Sequence, residues 1–309
     1  MDNNELKRLI LEGSNKTYDQ ISTNKNRYSF LYLEKIFKKI LNINSLNTDI
    51  LKTLELIDND KYLTNAGDLL ADINEYNIID IVRFGEDKDT ILSRFQLKNM
   101  SILQAFDFCF QKYKEYYQYE IIEKAYRQNI EEIPEKAFRE AIANALVHRN
   151  WMSNSYIQVS MRKNSISITS PGGLPSNLTR DEYLNGQISV MQNPVIGNVF
   201  FRLNIIESFG TGIKRIKNSY INARNKPEFH IFENSIKVIL PEIELQLPLS
   251  IDQEKVFLAI QNNTLSSSQI ANMVGFGKNK VLKILNELIE MSYAVKIGRG
   301  RGTKYESKI

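Results

Sequence analysis

The sequence predicts an α+β protein of two or three globular units, and three observations support this class. The chain has 309 residues, 42% hydrophobic and 25% charged, so it is too long for one ordinary core and too apolar for a disordered chain. Apolar residues recur at helical spacing in some runs and at alternate positions in others. Glycine and proline separate these runs, which indicates helices and strands within the same unit.

The N-terminal part of the chain predicts helices around one buried strand. Residues 1–45 indicate short helical pieces, of which YSFLYLEKIFKKILN is the clearest amphipathic run. The run YNIIDIVRFG predicts a buried strand that ends at Gly85. The run from Ile102 to Tyr126 predicts one long helix.

The middle of the chain changes from helical to alternating periodicity. Pro134 stands where a helix can begin, and the apolar stretch REAIANALVHRNW follows it. Two alternating runs, YIQVSMR and SISITS, predict a hairpin that ends in PGGLP. A polar stretch, an apolar helical piece, a helix opened by FGTGIKRI and two short strands in FHIFENSIKVILP come next. PEIELQLP then predicts a linker.

One polar row interrupts the apolar helix. Glu140, Asn144 and His148 lie four residues apart with only Ala, Ile, Leu and Val between them, so they share one helix face. Burying an unpaired neutral polar group costs about 2 to 7 kcal/mol, so the row is expected to face partners, water, a metal or a ligand. The alternative is that Glu140 pairs with Arg139 or Arg149 and that Asn144 bonds a strand backbone.

Two glycine turns follow this helix. Gly172 and Gly173 end a strand, where backbone can approach a planar ligand closely. Gly210, Thr211 and Gly212 precede a helix whose free N–H groups can face an anion. Each turn alone can be an ordinary turn, but their order after the polar row favours a ligand site.

Composition narrows the class of protein further. The single cysteine, Cys109, allows no internal disulfide and predicts a buried thiol, and with two histidines it cannot form a closed zinc site. The sequence has no leader pattern and no run of about 20 apolar residues, which predicts a cytoplasmic protein with no membrane partner. The net charge of +4 resides in residues 251–309, which hold nine Lys or Arg and five Asp or Glu.

Several stretches cover most of residues 60–220: YLTNAGDLLADI, IVRFG, EAIANALVHRN, ITSPGGLPSNLT and QNPVIGNVFFRLNIIESFGTGIKRI. Together they resemble the GHKL-type ATP-binding domains of gyrase B, the ninety-kilodalton heat-shock chaperones, histidine kinases and MutL. The closer likeness is to bacterial ATP-binding proteins described as transcriptional regulators or helicase-related proteins. In these, a Schlafen-like (AlbA) domain precedes the ATPase-like domain and a winged helix follows it. The resemblance implies a two-layer α/β sandwich of the Bergerat kind over residues 46–245.

The resemblance also implies roles for the polar row and the glycine turns. Glu140 would orient and deprotonate the attacking water, and Asn144 would ligate Mg²⁺ through its amide oxygen. His148 and Arg149 would lie near the phosphates, with residues 176–209 as a lid over the nucleotide. The remaining implied ATP contacts are Gly172 and Gly173 on the adenine side and Gly210, Thr211, Gly212 and Lys214 on the phosphate side.

Two features depart from the family pattern. Ser170 stands where the wider family has an aspartate that accepts a hydrogen bond from the adenine amino group, and where the closer relatives usually have asparagine. We therefore expect Ser170 to hold adenine more weakly. Residues 1–45 leave no room for a Schlafen-like domain, so they are expected to be a helical remnant of a truncated chain or of a natural short form.

Residues 251–309 predict a winged helix-turn-helix domain. Three helical runs are followed by a strand, a basic glycine-rich turn and a second strand. Ser267 or Ser268 is expected to cap the second helix, and Gly275 or Gly277 to make the turn. The residues expected to contact double-stranded DNA are Lys278, Asn279, Lys280 and Lys283 on the recognition helix and Arg299, Arg301 and Lys304 on the wing. The alternative is a winged helix that serves dimerisation or protein contact.

These features together predict an ATP-binding transcriptional regulator, expected to be a homo-oligomer, in which Mg-ATP binding alters DNA binding. Two alternatives stay open. One is an ATPase component of a nucleic-acid-processing or defence system, and the other is a degenerate scaffold that binds no nucleotide. The sequence leaves open whether the chain is an ATP hydrolase.

Overall fold

The computed structural model describes residues 13, 15–87, 89–123, 126–175, 177–185, 190–207, 210–244, 249–261, 263–298 and 300–308. The chain forms two compact units, Met1–Leu245 and Gln246–Ile309. Residues 245–248 of the predicted linker lie outside the described residues. Within the described residues, no helix is long and apolar enough to cross a membrane.

The described residues of the first unit combine helices and strands. Its helices are α1 (Leu31–Leu41), α2 (Thr48–Thr53), α3 (Asn65–Leu70), α4 (Ile102–Tyr117), α5 (Glu135–His148), α6 (Arg180–Asn185), α7 (Pro194–Arg202) and α8 (Gly212–Ser219). Its strands are β1 (Asn77–Phe84), β2 (Ile91–Lys98), β3 (Gln118–Glu123), β4 (Tyr126–Glu131), β5 (Ile157–Arg162), β6 (Ser165–Pro171), β7 (Glu228–Ile231) and β8 (Ser235–Pro241). The predicted amphipathic helix, the strand that ends before Gly85 and the hairpin after Trp151 are all present.

A six-stranded sheet in the order β2-β1-β5-β6-β8-β7 organises this unit. β1 runs parallel to β5, and the other neighbours are antiparallel. Along β5, Ile157, Val159 and Met161 are buried, whereas the alternate Gln158 is exposed. One face of the sheet therefore packs into the core. The mixed sheet confirms the predicted α+β class and fits an ATPase-like domain.

Helix α5 lies in the core of this unit and contacts β6 and β8. It begins after Pro134, as predicted, and Phe138, Ile142 and Leu146 are completely buried. These residues recur every four positions, so they define one apolar stripe, and Phe138 in it stacks on Tyr113 of α4 with the ring centroids 4.6 Å apart. Glu140, Asn144 and His148 lie on a different face of the same helix, and this face borders the candidate site.

The predicted helix from Ile102 to Tyr126 is present as far as Tyr117 and is wrong after that residue. Helix α4 ends at Tyr117, and the chain continues directly into β3, which pairs with β4 as an antiparallel hairpin. Tyr117 is buried, and its hydroxyl donates to the Arg162 carbonyl at 2.7 Å, which fixes the end of the helix beside β5. The β-branched and aromatic residues that follow favour a strand.

Helix α7 belongs to the core, which corrects the extent of the predicted lid over residues 176–209. Val195 and Ile196 in its first turn are buried. Their backbone N–H groups donate to Asp19 Oδ2 at 2.8 and 3.1 Å, so a residue from the start of the chain caps this helix. Within 176–209, α7 is therefore part of the core, whereas Ile206 and Glu207 after it line the cavity.

Over residues 249–261, 263–298 and 300–308, the second unit contains three α-helices followed by a two-stranded antiparallel sheet. Its elements are α9 (Ile251–Ile260), α10 (Ser267–Val274), α11 (Lys278–Glu290), β9 (Ala294–Ile297) and β10 (Lys304–Ser307). Ser266 caps α10 through the N–H of Gln269, rather than the predicted Ser267 or Ser268. Gly275 adopts a left-handed conformation (φ 72°) and makes the turn between α10 and α11.

Candidate functional site

A cavity in the first unit lies between α5, the strands β6 and β8, and the turn that opens α8. The space free of atoms in and in front of it, open solvent included, is about 1070 Å³. Apolar side chains such as Ile168, Leu174, Met191 and Ile236 line much of it. Its polar lining includes Glu140, Asn144, His148, Ser170, Gln192, Glu207 and Thr211. The structure thus brings the whole polar row of α5 to one cavity.

Glu140 and Asn144 form a hydrogen-bonded pair in the cavity wall. Asn144 Nδ2 donates to Glu140 Oε1 at 3.3 Å, which leaves the amide oxygen of Asn144 for another partner. Glu140 is only 4% exposed. This burial raises the pKa of its carboxyl, while the positive charges of Arg215 and Arg139 and the Asn144 hydrogen bond lower it.

The Gly210–Gly212 turn rests directly on this pair. A Cβ atom added to Gly212 would lie 2.4 Å from Glu140 Oε1 and 2.6 Å from Asn144 Nδ2. A side chain at this position would therefore displace the carboxylate and the amide. Gly210 has a positive φ of 62°, which favours glycine for a second reason. The turn leads into α8, whose first N–H groups have no partner within the helix.

Arg215 is the cation beside Glu140, whereas its neighbour Lys214 was the residue predicted from the sequence. Arg215 Nη1 lies 3.9 Å from Glu140 Oε2, and Arg215 Nη2 pairs with Glu207. Lys214 is exposed and does not line the cavity. Arg215 follows Thr211 by four residues and so shares its helix face, but this spacing does not say which face of α8 meets α5. The ion-pair partner of Glu140 is thus neither Arg139 nor Arg149.

Ser170 and Gly172 line the other end of the cavity. Ser170 Oγ donates to the Ala145 carbonyl at 3.1 Å, so its oxygen lone pairs can accept a hydrogen bond from a ligand. Gly172 has a φ of 106°, and an added Cβ would lie 2.9 Å from the Asn150 nitrogen. The strained turn therefore requires glycine at this position.

Gly173, which we expected beside the adenine, does not line the cavity. An added Cβ would lie 2.1 Å from the Glu233 carbonyl oxygen, so this glycine allows the turn to pack against the β7–β8 loop. Its own carbonyl accepts a hydrogen bond from Gln192 Nε2 at 3.1 Å. Gln192, which no sequence pattern singled out, thereby ties the stretch before α7 to the glycine turn.

Arg149 also lies outside the cavity, contrary to the expected place beside phosphates. Its side chain is 1% exposed and stacks over Trp151, 4.1 Å from the ring centroid. Its guanidinium donates to four backbone carbonyls, those of Asn77, Ile78, Ser153 and Ser155. The group therefore joins the loop after α5 to the start of β1, and burial lowers its pKa to about 10.

His148 lines the cavity at the end away from the Gly210–Gly212 turn. It follows Asn144 by one helical turn, on the side of Ser170 and Gly172, so it lies about 12 Å along the helix axis from Glu140. Burial lowers the pKa of its imidazole from 6.5 to about 4. His148 is therefore neutral at physiological pH and adds no positive charge to the site.

The depressed pKa of His148 predicts a loss of stability in mild acid. Its pKa is about 4 in the folded chain and 6.5 ordinarily, so between these values the unfolded chain binds more protons. The free energy of unfolding should therefore fall as pH falls from 6.5 to 4, and His148→Gln should remove this part of the slope. Proton NMR measures the pKa of the His148 imidazole directly, because the chain has only two histidines. A His148 ring signal that titrates near 6.5 would contradict the assignment.

The DNA-contact residues predicted for the second unit differ in their surroundings. Lys278, Asn279 and Lys283 are exposed along the first half of α11. Lys280 pairs with Asp252 at 2.6 Å and lies over the Phe276 ring, so its charge is partly neutralised within the unit. Lys304 is exposed on β10. Arg299 and the side chain of Arg301 lie outside the described residues.

Comparison with known proteins assigns a class to part of the chain. Residues 154–240 match the family described as "Putative ATP-dependent DNA helicase recG C-terminal". The matched segment contains β5 to β8 and both glycine turns, and it begins after Glu140 and Asn144. The match supports an ATPase-like, helicase-related domain in the first unit and suggests nucleotide binding.

A solved structure shares the fold of nearly the whole chain. The crystal structure of the DIP2311 protein from Corynebacterium diphtheriae aligns with 96% of this chain at a TM-score of 0.64 and 18% sequence identity. This chain spans 66% of the length of that protein. No curated protein matches the chain.

Proposed function

We propose that the first unit is a Bergerat-type domain that binds ATP with Mg²⁺ and hydrolyses it slowly. The observation that carries this proposal is the position of Glu140 and Asn144 directly beneath the Gly210–Gly212 turn. A carboxylate, an amide oxygen and free helix N–H groups then face one volume, as catalysis on a triphosphate requires.

The residues present fit such a ligand along the length of the cavity. At one end, Asn144 retains a free amide oxygen, and Mg²⁺ prefers oxygen ligands and is commonly held by few protein groups together with phosphates. At the other end, the Ser170 oxygen can accept a hydrogen bond from an amino group. The apolar lining between them suits a purine ring.

Each of these residues has a distinct task in hydrolysis. Bound Mg²⁺ would neutralise charge on the phosphates. Glu140 would accept a proton from the attacking water, and its burial makes it a better base than an exposed carboxylate. Asn144 orients Glu140 through its amide N–H, and the Gly210–Gly212 turn supplies backbone donors without a side chain that would block the carboxylate.

Calorimetric titration tests the binding step. The wild type should bind ATP and a non-hydrolysable analogue more tightly with Mg²⁺ than without it. Asn144→Ala should lose the Mg²⁺-dependent part of the affinity, because the metal loses its protein ligand. Asn164→Ala, in the exposed β5–β6 turn, serves as the matched control. Absence of heat with the wild type would contradict nucleotide binding and favour a scaffold without nucleotide.

We further propose that the second unit is a winged helix that binds double-stranded DNA, so that the whole chain acts as a transcriptional regulator. Its order of three helices and a two-stranded sheet, with the Gly275 turn between α10 and α11, supports this interpretation. Lys278, Asn279 and Lys283 are the exposed residues of α11 best placed to meet phosphates or a base edge.

Binding to duplex DNA should weaken steeply as salt concentration rises, because lysines that contact phosphates release counterions. The double variant Lys278→Glu, Lys283→Glu should lower affinity and reduce the salt slope by about one for each phosphate that is no longer neutralised. Lys255→Glu, on α9, makes one such charge reversal outside this helix and is compared with each single α11 variant. A gel-shift assay measures the affinity of each variant for the DNA upstream of the gene that encodes this protein, at several salt concentrations. Equal affinity and slope in the α11 double variant and the wild type would contradict DNA binding by this helix.

A further inference from the structure

Arg215 lies between two carboxylates that belong to different parts of the site. Its Nη2 pairs with Glu207, and its Nη1 lies 3.9 Å from Glu140 Oε2. The Glu140 side chain is 6% exposed, that of Arg215 29% and that of Glu207 65%. One guanidinium therefore joins a buried carboxylate on α5 to an exposed one at the cavity edge.

These contacts surround the phosphate-side turn. Glu207 lies before the Gly210–Gly212 turn and Arg215 lies in the first turn of α8, where its N–H donates to the Thr211 carbonyl at 2.9 Å. The turn itself has two glycines and so offers little side-chain packing to hold it in place. The pair between Arg215 and Glu207 spans it.

Arg215 does not line the cavity, whereas Glu140 and Glu207 do. It therefore acts on the site through these carboxylates and not through a bound ligand. Arginine suits this role because its planar group presents several donors in a fixed geometry and stays charged at neutral pH.

We propose that Arg215 is a positioning residue for hydrolysis, which holds the Glu140 carboxylate at the phosphate-side turn by pairing with Glu140 and Glu207 together. This inference rests on the proposed ATPase function and adds a residue to it. Loss of Arg215 leaves the cavity lining and the metal ligand in place but frees the base to move. Misplacement of a catalytic group by about 1 Å can lower a rate by roughly 100-fold.

The test compares Arg215→Met, Arg215→Lys and Glu207→Gln with the wild type in kcat and in Kd for the ATP analogue. Arg215→Met should lower kcat about 10- to 100-fold and change Kd less than about threefold, because Glu207 is mostly exposed and its charge is screened. Arg215→Lys should recover part of kcat, since it retains the charge, and Glu207→Gln should lower kcat less than Arg215→Met does. Arg202→Met, on exposed α7 surface, is the matched control.

A second experiment tests whether Arg215 acts by positioning Glu140 or only by packing in the protein. In a Glu140→Gln background the base is absent, so Arg215→Met should have little further effect on the residual rate. An equal loss of rate in both backgrounds would overturn the inference, as would an unchanged kcat in Arg215→Met. A large loss of ATP affinity with kcat retained would also overturn it, because Arg215 would then contact phosphate directly. If Arg215→Met does not fold, the Lys and Glu207→Gln variants decide the question.

The two proposals fail in different ways. A wild type that binds no ATP or releases no phosphate overturns the proposed ATPase function and this inference with it. A wild type that hydrolyses ATP, with Arg215 variants that match it, overturns the inference alone.

Discussion

Glu140→Gln is expected to lower the kcat for ATP hydrolysis by roughly 10²- to 10⁴-fold, the usual contribution of a general base. Glutamine keeps the size of the side chain, and its carbonyl oxygen can still accept the hydrogen bond from Asn144 Nδ2. It cannot accept a proton from water. Nucleotide binding should persist, with a Kd within about threefold of the wild type, because the Asn144 amide oxygen and the glycine turn are unaffected.

Phosphate release and calorimetry, performed on the same preparations, separate these two effects. Glu135→Gln, at the first position of the same helix and outside the cavity lining, provides the control for a changed helix charge. A Glu140→Gln variant that hydrolyses ATP at the wild-type rate would show that another group activates the water. A variant that neither binds nor hydrolyses would show that Glu140 serves binding or folding instead.

The polar row could be predicted because helical periodicity alone determines which side chains share a face. Glu140, Asn144 and His148 are four residues apart, and the structure places all three on one cavity. The glycine turns could be located for a similar reason, since Gly210 and Gly172 adopt positive φ angles that other residues disfavour. Features that depend only on neighbouring residues, such as a shared helix face or a glycine turn, could therefore be predicted.

Choices that depend on packing between distant elements could not be predicted. Lys214 and Arg215 are adjacent and both cationic. Their side chains leave α8 in directions that differ by about 100°, because consecutive residues of a helix are rotated by that angle. Only the packing of α8 on α5 therefore decides which of them meets Glu140. Arg149 follows His148 directly, yet the end of α5 turns its side chain toward β1. The helix boundary at Tyr117 likewise depends on a hydrogen bond to Arg162, which is distant in sequence.

Among the variants proposed for this protein, Arg149→Met is expected to give the largest loss of stability. The free energy of unfolding should fall by about 3 to 5 kcal/mol. The substitution removes donors to the carbonyls of Asn77, Ile78, Ser153 and Ser155 in a region where the arginine is 1% exposed. The bond to the Ile78 carbonyl is fully buried, so this carbonyl would lose its partner without gaining water. Arg149→Lys should rescue little, because one ammonium group cannot match the spread of the guanidinium donors.

Chemical denaturation followed by tryptophan fluorescence measures this loss in the first unit alone, because Trp151 is the only tryptophan of the chain. The denaturation midpoint is the relevant quantity, since Arg149 stacks on Trp151 and its replacement changes the fluorescence intensity directly. Arg202→Met, at an exposed position, should shift the unfolding free energy by less than about 0.5 kcal/mol. An Arg149→Met midpoint equal to that of the wild type would mean that the loop after α5 finds other donors. Arg149 would then not be the residue that fixes the end of the helix carrying Glu140 and Asn144.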